Sequence, residues 1–235
     1  MPRPTPAEDD ASPGLATLRA RLARLEGAGR AAQAREAIPL CEGLDLPGGG
    51  LARAALHEVL AATPGSGTAF CALLLARSGG TVLWITAGEE ALRPWPPGLA
   101  GCGLTPERLV LARAKAWVDA LWAMEEALRC PAVSGALLLA GGQTALDLTA
   151  TRRLQLAAEA GGALGLLLRA DDGAAGSSGP SAAATRWRVS ALPATEAPRW
   201  KLELLRARGG APGGPWAVRW HAAEGRLALD PPAAP

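Results

Sequence analysis

The feature that most limits the fold of this 235-residue chain is an alternation of apolar runs with helical segments between residues 55 and 170. Runs such as "TVLWITA", "GALLLAG" and "ALGLLLRA" contain very few polar side chains. A strand that is apolar on both sides has to be buried on both faces, as happens in a parallel sheet covered by helices. The sequence therefore predicts an α/β fold with a mostly parallel sheet.

The segments between these runs have the periodicity of amphipathic helices. In "WVDALWAMEEALRC" one face is formed by Trp117, Leu121, Met124 and Leu128. Such a stripe is more typical of a core than of a cofactor site. Further helices are expected after the first apolar strand, up to the Gly79-Gly80 pair that stops it, and over residues 149–160.

Beyond residue 182 the apolar period changes to two. In "TRWRV", "RWKLEL" and "WAVRW", tryptophan and aliphatic residues alternate with other side chains, most of them charged. This alternation predicts half-buried antiparallel strands. The last two are joined through "RGGAPGGP" and predict a hairpin, and "RLALD" predicts one further short strand. We therefore expect a C-terminal antiparallel β extension.

The chain divides into four predicted regions. Residues 1–13 are rich in proline and acidic residues and are expected to form a flexible leader, while residues 14–37 have the pattern of an amphipathic helix. The core is expected over residues 40–193 and the β extension over residues 194–235. The leucine stripe of the N-terminal helix packs on the protein's own core or docks on a partner or a second copy. Its four candidate partner-binding residues are Leu15, Leu18, Leu22 and Leu25.

The segment "ATPGSGT" lies between an apolar strand and a helix, where phosphate-binding loops cradle nucleotides. It lacks the lysine of the G-x-x-x-x-G-K-[ST] pattern, and the apolar run "GALLLA" ends in Gly141-Gly142 rather than in an Asp that holds Mg²⁺. Because phosphoryl transfer depends on these charges, we expect neither ATP hydrolysis nor a bound cofactor. The degenerate phosphate loop would hold a turn or bind an anion through its backbone. Its residues are Gly65, Ser66, Gly67 and Thr68.

No other segment of the sequence suggests catalysis or metal binding. The four cysteines are widely separated and include no C-x-x-C pair, which argues against a zinc site or a disulfide framework. No serine lies in a G-x-S-x-G elbow. Three glutamates at strand ends are interpreted as solvated loop or turn residues, and both histidines as surface residues. These five residues are Glu58, Glu89, Glu90, His57 and His221.

Charge and hydropathy limit the kinds of partner that the chain is expected to bind. A formal net charge of +2 gives no global attraction to nucleic acid, and no apolar run approaches the roughly 20 residues that a membrane span requires. With no signal peptide, the expected location is the cytoplasm, with reduced thiols. The C-terminal strands carry a local excess of cations on the face opposite their tryptophans. We predict a nucleic-acid or acidic-partner patch formed by Arg186, Arg188, Arg199, Lys201, Arg206 and Arg208.

The order of these segments resembles the core of RecA-type recombinases. The phrases "LPGGGLARAALHEV", "ALWAMEEALRC", "DLTATRRLQLAAEA", "PSAAATRWRV" and "RWKLELLRARGG" are similar to those of the ImuA family, RecA-like accessory proteins of a bacterial mutagenesis cassette. The likeness extends over roughly residues 40–220.

The resemblance implies a protein induced by the SOS response that acts in error-prone translesion DNA synthesis. Its implied partners are the ImuB-like relative of Y-family polymerases, RecA and an error-prone paralogue of the replicative polymerase, with direct DNA contact left open. We therefore expect a non-catalytic adaptor that works through its surfaces. Two alternatives remain: a damage-induced inhibitor of cell division with a degenerate RecA-like fold, and a residual DNA-dependent ATPase.

Overall fold

The computed structural model of the chain describes five stretches, residues 37–46, 49–88, 94–140, 146–171 and 179–230. The leader and the N-terminal helix, with the leucine stripe from Leu15 to Leu25, lie outside the described residues. Both therefore stay predictions.

Nine strands of the described residues form one sheet, in the order β3-β2-β4-β5-β1-β6-β7-β8-β9. The strands are β1 (Ala55–Ala61), β2 (Thr81–Ala87), β3 (Leu109–Ala114), β4 (Val133–Ala140), β5 (Leu164–Ala170), β6 (Thr185–Leu192), β7 (Arg199–Ala207), β8 (Gly213–His221) and β9 (Arg226–Leu229). The helices are α1 (Pro64–Ala76), α2 (Pro96–Gly101), α3 (Trp117–Arg129) and α4 (Leu148–Gly161), with a 3₁₀ turn over Pro106–Arg108.

The six strands from β3 to β6 are mutually parallel, which confirms the predicted α/β class. The strands β7, β8 and β9 continue the same sheet in antiparallel fashion. One prediction needs correction, because "TRWRV" was expected to lie in a purely antiparallel strand. It lies in β6, which pairs parallel with β1 on one side and antiparallel with β7 on the other. β6 is therefore the strand at which the pairing in the sheet changes from parallel to antiparallel.

Helices cover both faces of the parallel part. The side that carries α1 and α2 contains a core cluster with Val59, Phe70 and Trp187, and the side that carries α3 and α4 contains one with Leu56 and Met124. In α1 all six residues from Phe70 to Leu75 are at most 1% exposed. A helix that is apolar all round needs cover on every side.

The antiparallel strands supply part of that cover. Trp200, Leu202 and Val218 belong to the same buried cluster as Phe70 of α1. The indole nitrogen of Trp200 also donates a hydrogen bond of 3.1 Å to the carbonyl oxygen of Ser66. The core of the parallel sheet and that of the β extension are therefore continuous.

Substitution of Leu202 tests this continuity. Leu202 is fully buried, so Leu202→Ala should lower the free energy of unfolding by about 2–5 kcal/mol, through lost apolar contact and a residual cavity. Leu229→Ala at the 39% exposed end of β9 is the control, with an expected loss within about 1 kcal/mol. Urea unfolding should show one transition by both fluorescence and circular dichroism. A separate early transition in Leu202→Ala would contradict a shared core.

Candidate functional site

The connection between β1 and α1 is the position at which a nucleotide would bind in a phosphate-loop protein. In this chain β1 ends at Ala61 and α1 begins at Pro64, so only two residues, Ala62 and Thr63, connect them. Gly65, Ser66, Gly67 and Thr68 were expected to form a loop but lie in the first turns of α1. Pro64 explains this early start, since proline at the first helical position has the backbone angle of a helix and loses no hydrogen bond there.

The glycine and serine of this segment serve packing. A Cβ atom at Gly67 would lie 2.5 Å from both Ala61 Cβ and Leu168 Cδ1, so glycine is required for α1 to approach the sheet this closely. The hydroxyl of Ser66, a residue only 8% exposed, donates to the carbonyl oxygen of Thr63 at 2.9 Å. The Thr63 hydroxyl donates to Ser66 Oγ at the same distance. These packing contacts and hydrogen bonds explain the glycine and the serine at these positions without invoking a bound phosphate.

Two arginines stand beside this connection, since Arg188 of β6 and Arg169 of β5 both lie opposite Leu60 of β1 in the sheet register. The Nε of Arg188 donates a hydrogen bond of 2.7 Å to Asp171 Oδ2, and its Nη1 lies 3.6 Å from Glu203 Oε2. The hydrogen bond to Asp171 is the main cause of the raised pKa of this guanidinium. Asp171 is held near the connection because its backbone N–H donates to the carbonyl oxygen of Ala61 at 2.9 Å. Two carboxylates thus compensate the charge of Arg188.

Glu58 was expected at a solvated strand end, and this prediction is wrong. It lies in the middle of β1, the central strand, and is 1% exposed. Its Oε2 accepts a hydrogen bond of 2.5 Å from Arg186 Nε of β6, and its Oε1 lies 3.9 Å from Arg169 Nη1 of β5. Within the described residues Oε1 has no hydrogen-bond donor. Glu58 therefore joins three neighbouring strands electrostatically.

His57 was expected at the surface and is also buried, with 1% of its surface exposed. Its Nε2 donates to the carbonyl oxygen of Ala52 at 2.8 Å, so its Nδ1 accepts from the Thr185 hydroxyl at 2.7 Å. Burial lowers the pKa of the ring to about 4, which keeps it neutral and structural. His221 is half-buried in β8, and Glu89 and Glu90 lie outside the described residues.

Each of the six predicted patch residues has an intramolecular partner. Arg186 pairs with Glu58, Arg188 with Asp171 and Glu203, Arg199 with Asp230, and Lys201 with Glu203. Arg206 donates to the carbonyl oxygens of Ser181 and Ala183, and Arg208 donates to that of Ala182 and pairs with Glu159. The face is thus a charge network, and its contact with nucleic acid stays a prediction.

Substitution of Glu58 tests the importance of the buried pair. Glu58→Gln leaves Arg186, whose side chain is 13% exposed, without its counter-charge, so the free energy of unfolding should fall by about 3–5 kcal/mol. The control is Glu203→Gln, in a more exposed network, with an expected loss of at most about 1 kcal/mol. Denaturant titration at neutral pH measures both. Equal losses in the two variants would contradict a special role of the buried carboxylate.

Other kinds of site find no support in the described part of the chain. It holds no group of three or more His, Cys, Asp or Glu residues arranged to bind a metal ion. No helix within the described ranges combines the length and the apolarity that crossing a membrane requires.

Comparison with solved structures supports the fold. A crystal structure of the RadB recombinase superposes with a TM-score of 0.56, covering 77% of this chain and 93% of RadB at 15% sequence identity. The fold is therefore RecA-like, as the sequence predicted. At this identity the likeness concerns the fold alone.

Comparison of sequences identifies the relatives. No protein-family model matches the chain. The cell division inhibitor SulA of Edwardsiella piscicida is 35% identical over 111 residues, which is 46% of this chain and 61% of SulA. The protein ImuA of two Caulobacter vibrioides strains, NA1000 and CB 15, is 37% identical over 191 residues, covering 72% of this chain and 76% of ImuA. On the strength of this identity and coverage, the chain belongs to the ImuA family.

Proposed function

We propose that this protein is a non-catalytic RecA-like adaptor in SOS-induced, error-prone translesion DNA synthesis, which acts through contacts with other proteins. The observation that carries the proposal is the two-residue connection between β1 and α1. It stands where a nucleotide-dependent relative of this fold needs a phosphate-binding loop. A RecA-like domain without that loop is suited to binding partners rather than to hydrolysis.

The geometry argues against a nucleotide at this position. A phosphate-binding loop encircles the phosphate with several backbone N–H groups, which requires more chain than Ala62 and Thr63 provide. The N–H of Gly67, which could point at an anion, instead approaches the carbonyl oxygen of Thr63 at 3.4 Å as part of α1.

The electrostatics argue in the same direction. The first turn of α1 carries no charged side chain that could neutralise a phosphate or hold Mg²⁺. Of the two arginines beside the connection, Arg188 is already paired with Asp171, and Arg169 lies 3.9 Å from Glu58. A nucleotide would have to draw these cations away from their carboxylates. Phosphoryl transfer relies on strong charge stabilisation.

The proposed partners follow from the family. ImuA is the name of the Caulobacter relatives, and the partner expected for such a protein is an ImuB-like relative of the Y-family polymerases. RecA and the error-prone paralogue of the replicative polymerase are proposed as further members of the assembly. For the contact surfaces we favour the leucine stripe of residues 14–37 and the β7–β8 hairpin.

Calorimetric titration with ATP and Mg²⁺ tests the absence of a nucleotide site. We expect no heat of binding from the full chain, while a RecA recombinase in the same buffer gives a clear isotherm. Binding that depends on Mg²⁺ would contradict the proposal and would favour the residual ATPase. In that case Arg188→Ala would show whether this arginine supplies the charge.

A pull-down with the ImuB-like protein tests the partner contact. If the leucine stripe docks on it, the double substitution Leu18→Asp and Leu22→Asp should weaken binding at least about tenfold, because it places charges in an apolar interface. Arg19→Asp and Arg24→Asp, on the other faces of the predicted helix, are the matched control. Retained binding in the leucine variant would remove the helix from the proposal. No binding by the wild-type chain would remove the adaptor function itself.

Similarity to SulA supports a second candidate function. The shared 111 residues favour a damage-induced inhibitor of cell division. This function predicts binding to the tubulin-like division protein and filamentous cells when the chain is overproduced. Filamentation without any binding to the ImuB-like protein would favour it over the adaptor.

A further inference from the structure

The outer edge of the sheet at β3 exposes large apolar side chains. Val110 and Leu111, consecutive residues of this strand, are 48% and 57% exposed. Monomeric proteins scatter exposed apolar residues singly, whereas neighbouring ones mark an interaction surface.

The two edges of the sheet differ in protection. At β9 the chain covers its own edge, because the N–H of Glu42 donates to the carbonyl oxygen of Leu227 at 3.2 Å and Glu42 bridges to Ala228. Arg226 adds ion pairs with Glu42 and Glu224 there. On the outer side of β3 no strand pairs within the described residues. β3 also contains no proline, and its pairing with β2 shows no register shift, so it lacks two of the usual devices that protect an edge.

The apolar character of β3 extends to both faces of the sheet. Leu111 is paired with Trp84, which belongs to the core under α1, so Leu111 lies on the side of α1 and α2. Val110 is paired with Leu83, which packs on the core under α3 and α4. A strand added at this edge would therefore find apolar side chains on both of its faces.

We propose that β3 is the interface of a two-fold dimer, in which the β3 strands of two copies pair antiparallel about Leu111. Within this register Leu111 lies opposite Leu111 of the second copy. Val110 lies opposite Ala112 of the second copy, and both belong to the α3 and α4 side. Leu109 lies opposite Arg113 of the second copy. The edge is thus complementary to itself on both faces of the sheet, as a closed two-fold interface requires.

The charges permit this arrangement. The cation within β3, Arg113, is directed to its own chain, where its Nε donates to the carbonyl oxygen of Gly88 at 3.1 Å. The proposed register places it opposite a leucine and four residues along the strand from its symmetry mate, at about 13 Å. Like charges therefore do not meet across the strands. The net charge of +2 adds little repulsion between copies.

A second copy is the partner that this edge itself specifies, since its apolar side chains are matched by the same side chains in antiparallel register. The opposite edge of the sheet, at β9, is already bridged by Glu42 of the same chain. A copy in two-fold symmetry brings β3 to β3 directly and covers both apolar surfaces at once.

Sedimentation equilibrium of the full chain tests the proposal. The wild type should fit a monomer–dimer equilibrium, and Leu111→Lys should raise its dissociation constant at least about tenfold, because it introduces like charges at the two-fold axis. Leu229→Lys, on the opposite edge strand, should change it less than about twofold. Circular dichroism verifies that both variants are folded. A monomeric wild type, or a dimer that persists in Leu111→Lys, would overturn the proposal.

Cross-linking tests the register. In a Cys130→Ser background, which removes an exposed thiol, Leu111→Cys should form a disulfide-linked dimer on mild oxidation, since directly opposite Cβ atoms lie about 4.5–5.5 Å apart. Leu229→Cys in the same background should stay monomeric on a non-reducing gel. Equal cross-linking of both variants would reject the antiparallel pairing about Leu111.

Discussion

The burial of α1 is the constraint on which the rest of the structure depends. The helix presents apolar residues in every direction, and its segment from Phe70 to Leu75 is almost wholly inaccessible. A parallel sheet covers one side of such a helix. The remaining cover comes from the tryptophans of β6 and β7 and from Ile38, Leu40 and Leu51. The C-terminal strands thus complete the core that α1 requires.

The same constraint involves the connection between β1 and α1. Gly67 allows α1 to pack against Ala61 and Leu168 at a distance that any side chain would prevent. The carbonyl oxygen of Ser66 accepts a hydrogen bond from Trp200 of the extension. The residues that would cradle a phosphate are thereby part of the junction between the two halves of the sheet. This packing supports the proposal that the chain does not hydrolyse nucleotides.

The sequence predicted what depends on local pattern and missed what depends on distant pairing. Strands such as β2 and β4 were predictable because their apolar runs are continuous, and the β7–β8 hairpin because its period is two. Glu58 was misinterpreted because its partner, Arg186, is 128 residues away and pairs with it only once β1 and β6 are neighbours. The partners of the patch cations were missed for the same reason, since Asp171 and Asp230 lie outside the cationic strands in sequence.

The charge network has a consequence for how such a protein recognises others. Cations that are paired with buried or half-buried carboxylates are held in fixed positions, and such charges contribute more to the specificity of a contact than to its strength. Exposed apolar side chains also favour association with another chain, and Val110 and Leu111 at the outer edge of β3 are examples. In the proposed adaptor, binding therefore depends on surfaces of this kind. Its specificity then depends on which chain presents a complementary surface.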